Sequence, residues 1–142
     1  MQFKNILFAT DFSAGSAAAL KLATALARDS GAKLWIVHVS EPRPAYTVAG
    51  IYASLPSGNE FAESSEELRK VVPADDQVSF EQRLIIGSPA EELVKFAAIH
   101  AVDLIVIGTH GRTGVLRLLM GSVAEAVLRH AECPVLTLRA AH

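Results

Sequence analysis

Apolar residues along this 142-residue chain fall into short blocks, separated by longer stretches in which small and charged residues recur at helical spacing. Five blocks are brief and rich in Ile, Leu and Val: Ile6–Ala9, Leu34–Val39, Val78–Ile86, Leu104–Ile107 and Val135–Leu138. Four of them are nearly unbroken, as strands covered on both faces should be. Val78–Ile86 interleaves Ser79, Glu81, Gln82 and Arg83, which predicts a strand at a sheet edge.

The intervening stretches predict helices. After Asp11-Phe12-Ser13 comes "AGSAAALKLATALARD", made almost wholly of good helix formers, and Gly31 supplies a C-terminal cap. "GSPAEELVKFAAIH" opens with Ser88, Pro89 and Glu91, the spacing of a capping box. Ser122-Val123-Ala124-Glu125 repeats that box at the start of the last helix. A less regular helix is predicted around Phe61–Val72. The connection from Ser40 to Gly58, with Pro42, Pro44, Pro56, Gly50 and Gly58, is the loosest part and predicts a flap or a turn-rich cover.

The resulting order, β-α-β-α-β-α-β-α-β, predicts one α/β domain over residues 1–142. Right-handed crossovers then give an open, parallel, five-stranded sheet with helices on both faces, flavodoxin- or Rossmann-like, with strand order 3-2-1-4-5.

Composition narrows the function. Half the residues are hydrophobic (51%) and a fifth are charged (20%), which is a globular composition. The formal net charge of −2 and the lack of a basic stripe argue against a nucleic-acid partner. No run approaches the roughly 20 apolar residues that span a bilayer, and Asp11 interrupts the N-terminal apolar run, so neither a membrane span nor a signal peptide is expected. The lone Cys133 excludes an intramolecular disulfide and fits a reducing compartment, so a cytoplasmic location is expected.

In sheets of this kind ligands bind beyond the carboxyl ends of the strands, where the strand order reverses. Thr10-Asp11, Val39-Ser40 and Gly108–Gly111 end there, which predicts a crevice between Asp11 and Gly108. Gly108, Gly111, Gly121 and Ser122 make the pattern G-x2-G-x9-G-S. Glycines let backbone amides approach a ligand, and a helix start at Ser122 favours an anion. Arg112 adds a charge. Equally, the glycines are turns and the capping box satisfies the helix on its own; spacing alone leaves both readings open. Neither G-x-x-x-x-G-K-[ST] nor G-x-G-x-x-G is present.

Other residues carry paired readings. Asp11 contacts a ligand or a phosphate-bound Mg²⁺, or forms an Asx turn. His110, inside the glycine loop, approaches a phosphate or acts as an acid or base, or bonds to nearby backbone. His38 reads as a core histidine, and Cys133, next to Pro134, as a small buried thiol. No histidine pair has zinc-like spacing and no serine sits in a G-x-S-x-G elbow. The apolar last strand, Val135–Leu138, falls at an edge, which pairing across a two-fold axis or a folded C-terminal tail would cover.

Taken together, "ILFATDFS", "WIVHVSEP", "GSPAEELVKFA" and "DLIVIGTHGRTGVLRLLMGSVAEAVLRHAECPVLTLR" resemble the universal stress protein family across essentially the whole chain. The complete glycine signature resembles that of the family's ATP-binding members. The resemblance implies a site for ATP (or AMP or ADP), with Mg²⁺ on the phosphates. Asp11 and the backbone near Ala9 and Thr10 would face the nucleotide, and the Val39 backbone would meet the adenine edge. Ile107 and Gly108 would lie against the nucleoside, with His110 in the same loop. Gly111, Arg112, Gly121, Ser122 and Val123 would hold phosphates. Ala9 departs from the family, where proline is frequent at the position before the first turn. The resemblance also implies a homodimer through the last strand and a regulatory role in the stress response with an unknown protein partner. A slow ATPase or nucleotidyl-transfer enzyme using Asp11 or His110, and a nucleotide-free dimeric interaction protein, are the alternatives.

Overall fold

Strand β1 (Asn5–Ala9) shows how the sheet is built. Its side chains alternate between two buried faces: Ile6 and Phe8 point to one core, Leu7 and Ala9 to the other. Its backbone bonds to a parallel strand on each side, β2 (Lys33–Ser40) and β6 (Leu104–Gly108). A computed structural model describes residues 2–42, 45–46, 52–53, 58–109 and 121–139.

The remaining elements are α1 (Ala14–Ser30), β3 (Ala45–Tyr46), β4 (Tyr52–Ala53), α2 (Gly58–Arg69), β5 (Phe80–Ile86), α3 (Pro89–Ile99), α4 (Ser122–His130) and β7 (Val135–Leu138). The main sheet has five parallel strands in the order β5-β2-β1-β6-β7. Without the small antiparallel β3–β4 pair this is the expected 3-2-1-4-5, with β5 at an edge as its polar residues predicted. The flap reading of residues 40–58 falls largely outside the described residues, and periodicity gives no sign of the β3–β4 pairing within it.

The helices divide between the faces. Ala19, Ala23 and Ala27 of α1, with Leu68 of α2, cover Ile6, Phe8, Leu34, Ile36 and Val106. Leu93, Phe96 and Ala97 of α3, with Ala124 and Val127 of α4, cover Leu7, Trp35, Val37, Ile105 and Ile107. Alanine at four-residue spacing lets α1 lie close against the sheet, with each position at most 1% exposed. Ser13 caps its start by accepting from the Ser16 amide at 3.3 Å. Gly31 ends it at φ 68°, a left-handed conformation that costs glycine little. At the far end of the sheet Asp103 Oδ2 accepts from the amides of Lys4 and Asn5, at 2.6 and 2.8 Å, and ties the entry of β1 to that of β6. Among the described residues no helix is long and apolar enough to cross a membrane.

Two predicted capping boxes are corrected. Ser88 is the N-cap of α3 and Pro89 follows it, but the serine side chain makes no capping bond. In α4 the N-cap is Gly121, one residue earlier than expected, and no side chain caps it. Glu125 pairs with Arg129 at 2.9 Å instead of reaching back to the helix start.

The close alanine face gives a direct test. Ala23→Leu forces three carbons into a fully buried contact with the sheet and is expected to cost about 1–3 kcal/mol. A fall in Tm of roughly 3–8 °C in a thermal melt is the expected result; an unchanged Tm would mean that α1 is free to move away from β1.

Candidate functional site

β1 is where the order of strand addition reverses, and a cavity opens there. From β1 the chain crosses to β2 and β5 with α1 and α2 on one face, then returns to β6 and β7 with α3 and α4 on the other. The connections leaving β1 and β6 therefore part, and a cavity of about 300 Å³ lies between them. That is within the size range of small-molecule sites.

Its walls come from six elements. β1 and its following turn contribute Ala9, Thr10 and Asp11, with Ser16 from α1 behind them. β2 contributes Val37, His38 and Val39, and α3 contributes Pro89 and Leu93. β6 ends in Ile107, Gly108 and Thr109, and α4 begins with Ser122, Val123 and Ala124 after Gly121. Nine of the residues singled out from the sequence thus stand around one cavity: Ala9, Thr10, Asp11, Val39, Ile107, Gly108, Gly121, Ser122 and Val123. His110, Gly111 and Arg112 lie outside the described residues. Val37, Leu93 and Pro89 were not anticipated, because their apolar character marked them as core or helix start.

The apolar lining is a slot: Ala9, Val37, Val39, Leu93, Ile107 and Ala124 offer no polar side-chain atom to a ligand. Polar groups gather at two places. One is the start of α4, where the first helical amides have no partner inside the helix. With no side-chain cap at Gly121, no described group takes the amides of Ser122, Val123 and Ala124. The dipole of α4 adds partial positive charge there.

The other is the turn after β1. Asp11 Oδ1 accepts from the Ser13 amide at 3.0 Å and from Ser16 Oγ at 2.7 Å. The Asx-turn reading of Asp11 is therefore realised, and the residue also lines the cavity. Its Oδ2 has no hydrogen-bond partner among the described residues. Burial pulls the Asp11 carboxyl upward, but hydrogen bonds from Ser13 and Ser16 outweigh it and hold the group below its ordinary value. The carboxylate is charged at neutral pH and can only accept hydrogen bonds or meet a cation. Thr109 Oγ1 is buried without a partner among the described residues.

The glycines of the motif divide on steric grounds. A Cβ on Gly121 would stand 2.7 Å from the Thr109 carbonyl oxygen, to which the Gly121 amide donates, so the protein's own backbone excludes a side chain. A Cβ on Gly108 would meet nothing nearer than 3.7 Å. Those nearest atoms are the Gly15 backbone of α1, so alanine would fit there in ordinary contact with the helix.

Two other readings change. His38 is only half-buried and bonds through Nδ1 to the Thr10 carbonyl oxygen at 2.7 Å, at the edge of the cavity rather than deep in the core. Cys133 is partly buried, and burial pushes its thiol up, which keeps it from acting as a thiolate near neutral pH. No group of three or more His, Cys, Asp and Glu side chains gathers to hold a metal among the described residues.

Comparison with known proteins accords with this arrangement. The profile of the universal stress protein family matches residues 2–139. A universal stress protein of Methanocaldococcus jannaschii is 34% identical over 147 aligned positions, covering 96% of this chain and 82% of that protein. The universal stress protein of Archaeoglobus fulgidus in complex with dAMP superposes with a TM-score of 0.70 at 25% identity, covering 96% of this chain and 98% of its own. A universal stress protein in complex with cAMP gives a TM-score of 0.72 at 26% identity, with 98% of each chain covered.

The lowered Asp11 titration fixes the sign of a pH effect. A carboxyl whose folded value lies below its unfolded value stabilises the fold fully above about pH 4, and that contribution is lost as pH falls through the folded value. Asp11→Asn, which keeps an acceptor oxygen but not the charge, is expected to lower Tm by a steady amount from about pH 5 to 7. That deficit should shrink below about pH 4. A deficit that stays constant down to about pH 2.5 would show that the Asp11 charge contributes nothing to the turn.

Proposed function

The chain belongs to the universal stress protein family, and we propose that it binds an adenine nucleotide in the cavity between β1 and β6 and acts as a regulatory module of the stress response. The observation that carries the reading is one continuous cavity with an apolar slot and, at its α4 end, three amides that no described group caps. A planar base suits the slot formed by Val37, Val39, Leu93 and Ile107, and a phosphate suits the amides of Ser122 to Ala124. The two relatives with bound dAMP and cAMP support an adenine base with a phosphate.

Residue by residue, Ala9, Thr10 and the Val39 backbone border the base and sugar, and Ile107 and Gly108 lie beneath them. Asp11 Oδ2 accepts from a donor on the ligand or meets Mg²⁺ carried on the phosphates, a cation content with one carboxylate and several waters. Gly121, Ser122 and Val123 receive phosphate oxygens, and His110, Gly111 and Arg112 complete that end. ATP fills the longest version of the site, and AMP or ADP a shorter one.

Binding without rapid turnover fits these groups best. Among the described lining residues Asp11 is the one carboxylate, and its Oδ1 is already held by Ser13 and Ser16. The lone Cys133 fits a cytoplasmic setting. A homodimer through β7 completes the reading, with the nucleotide state altering a surface that a protein partner senses. The amides of Ile105 and Thr109 donate to the carbonyls of Pro134 and Leu138, both at 3.0 Å, so alternate residues of β7 face β6. Val135 and Thr137 then turn their main-chain groups outward, to the open edge.

Two experiments test these readings. Val39→Phe, at a half-buried position on the cavity wall, leaves the empty protein's Tm within a few degrees, because the larger ring extends into the cavity instead of into packed core. That ring fills the slot proposed for the base and is expected to weaken AMP binding, measured by calorimetry, about tenfold or more. Unchanged affinity, or no saturable AMP or Mg-ATP binding by the unaltered protein, would overturn the nucleotide reading. Separately, Thr137→Pro removes an outward amide without touching the β6 ladder. Sedimentation velocity is expected to show the dimer replaced by a monomer, and an unaffected dimer would rule out pairing through β7.

A further inference from the structure

We propose that His38 is a positioning residue for this site, holding the Thr10–Phe12 turn in the left-handed form that sets Asp11 at the cavity. The inference rests on the adenine-nucleotide reading for its effect on binding, and on the geometry of the turn alone for its mechanism.

His38 lies near the end of β2, on the face covered by α1 and α2, where Ile36 precedes it by two residues. Its Nδ1 is 2.7 Å from the Thr10 carbonyl oxygen. A carbonyl only accepts, so Nδ1 carries the proton and donates. The Thr10 amide meanwhile donates to the Val37 carbonyl at 3.0 Å. Both main-chain groups of Thr10 are thus tied to consecutive residues of β2, the amide by backbone and the carbonyl by a side chain.

The two residues after Thr10 need that anchorage. Phe12 has φ 67°, in a region that glycine enters freely and a bulky side chain seldom does. Its amide donates to Thr10 Oγ1 at 3.0 Å, and its ring packs on the His38 ring with centroids 4.3 Å apart and planes 35° apart. His38 therefore grips the turn twice, by a hydrogen bond to its first residue and by ring contact with its last. Asp11 lies between these two grips. The bonds from Ser13 and Ser16 to Asp11 Oδ1 depend on where Phe12 sends the chain. If Phe12 relaxed to negative φ, the Ser13 amide would swing away and Asp11 would lose its place on the cavity wall. A histidine that merely filled the core would have no such tie to one turn of the site.

The test uses the full chain and AMP. His38→Leu removes donor and ring and is expected to weaken AMP binding about tenfold. In the same variant the one-bond Cα–Hα coupling of Phe12, which separates positive from negative φ, should move to the negative-φ value. His38→Asn places an amide nitrogen near the position of Nδ1 and is expected to restore affinity to within about threefold of the unaltered protein. In a Phe12→Gly background, where the left-handed form carries no penalty, His38→Leu should become nearly silent. A folded His38→Leu protein with unchanged coupling and unchanged AMP affinity would overturn the proposal. So would ring ¹⁵N shifts showing an unprotonated Nδ1 in the unaltered protein, a measurement that needs no variant to fold. If the unaltered protein takes up no AMP, the nucleotide reading falls by itself, and the coupling and ring shifts still decide the latch.

Discussion

The structure depends on one constraint: β1 is the strand from which the chain winds in both directions. A parallel strand must reach its next neighbour by a crossover, and right-handed crossovers put the helix on a face set by the direction of travel. Winding from β1 to β2 and β5 places α1 and α2 on one face, and winding back to β6 and β7 places α3 and α4 on the other. Every strand at the centre then needs apolar side chains on both faces, which is why Ile6–Ala9 and Leu104–Ile107 are unbroken apolar runs. The same winding sends the turn after β1 and the connection after β6 to opposite sides. The cavity is what remains between them, a product of topology before any particular residue is chosen.

Chemistry is then distributed across that opening. On the α4 side the groups are donors, main-chain amides reinforced by a helix dipole. On the β1 side the group is an acceptor, the Asp11 carboxylate, kept charged by two hydroxyl-bearing neighbours. An anion placed against Asp11 would be repelled, and one placed at α4 would be attracted. A ligand with a phosphate at one end and hydroxyl or amino donors elsewhere therefore has one favoured direction of entry. The two sides differ in how they are held. The α4 amides are fixed by the helix itself, whereas Asp11 sits on a turn that contains a left-handed phenylalanine. Such a turn persists only where its surroundings determine it strongly, and β2 supplies those surroundings through Val37 and His38.

The architecture was legible in the sequence because it is written in periodicity. Strand identity and the edge position of Val78–Ile86 follow from which residues alternate and which do not, strand order from the flavodoxin-like class that the alternation of strands and helices implies, and β7 spans the residues predicted for it. Local features that depend on a single hydrogen bond were less legible. Ser88 and Ser122 both start a capping-box spacing, yet neither side chain caps its helix. At α4 the reason is visible: Gly121, tied to the Thr109 carbonyl, already occupies the N-cap position, so Ser122 falls one step inside the helix. The β3–β4 pair is two residues deep, too short for any period to show. His38 was legible as a strand residue, but not as the partner of a turn 28 positions away in sequence.

The glycine motif shows why spacing by itself left two readings open. Gly108 and Gly121 belong to the same pattern, yet the protein's own sterics require glycine at only one of them. At Gly121 a side chain is excluded by the Thr109 carbonyl, so architecture alone requires the residue whether or not a ligand ever binds. At Gly108 the described protein leaves room for a methyl group, and no positive φ demands glycine there. Packing and backbone strain both fail to account for it. A methyl group there would rest against the Gly15 backbone of α1 at 3.7 Å, so it would face the helix and not the apolar slot, and Gly108 by itself points to no ligand. A pattern of this kind is thus a steric requirement at one glycine and none at the other, and the case for a ligand rests on the cavity and on the uncapped amides of α4.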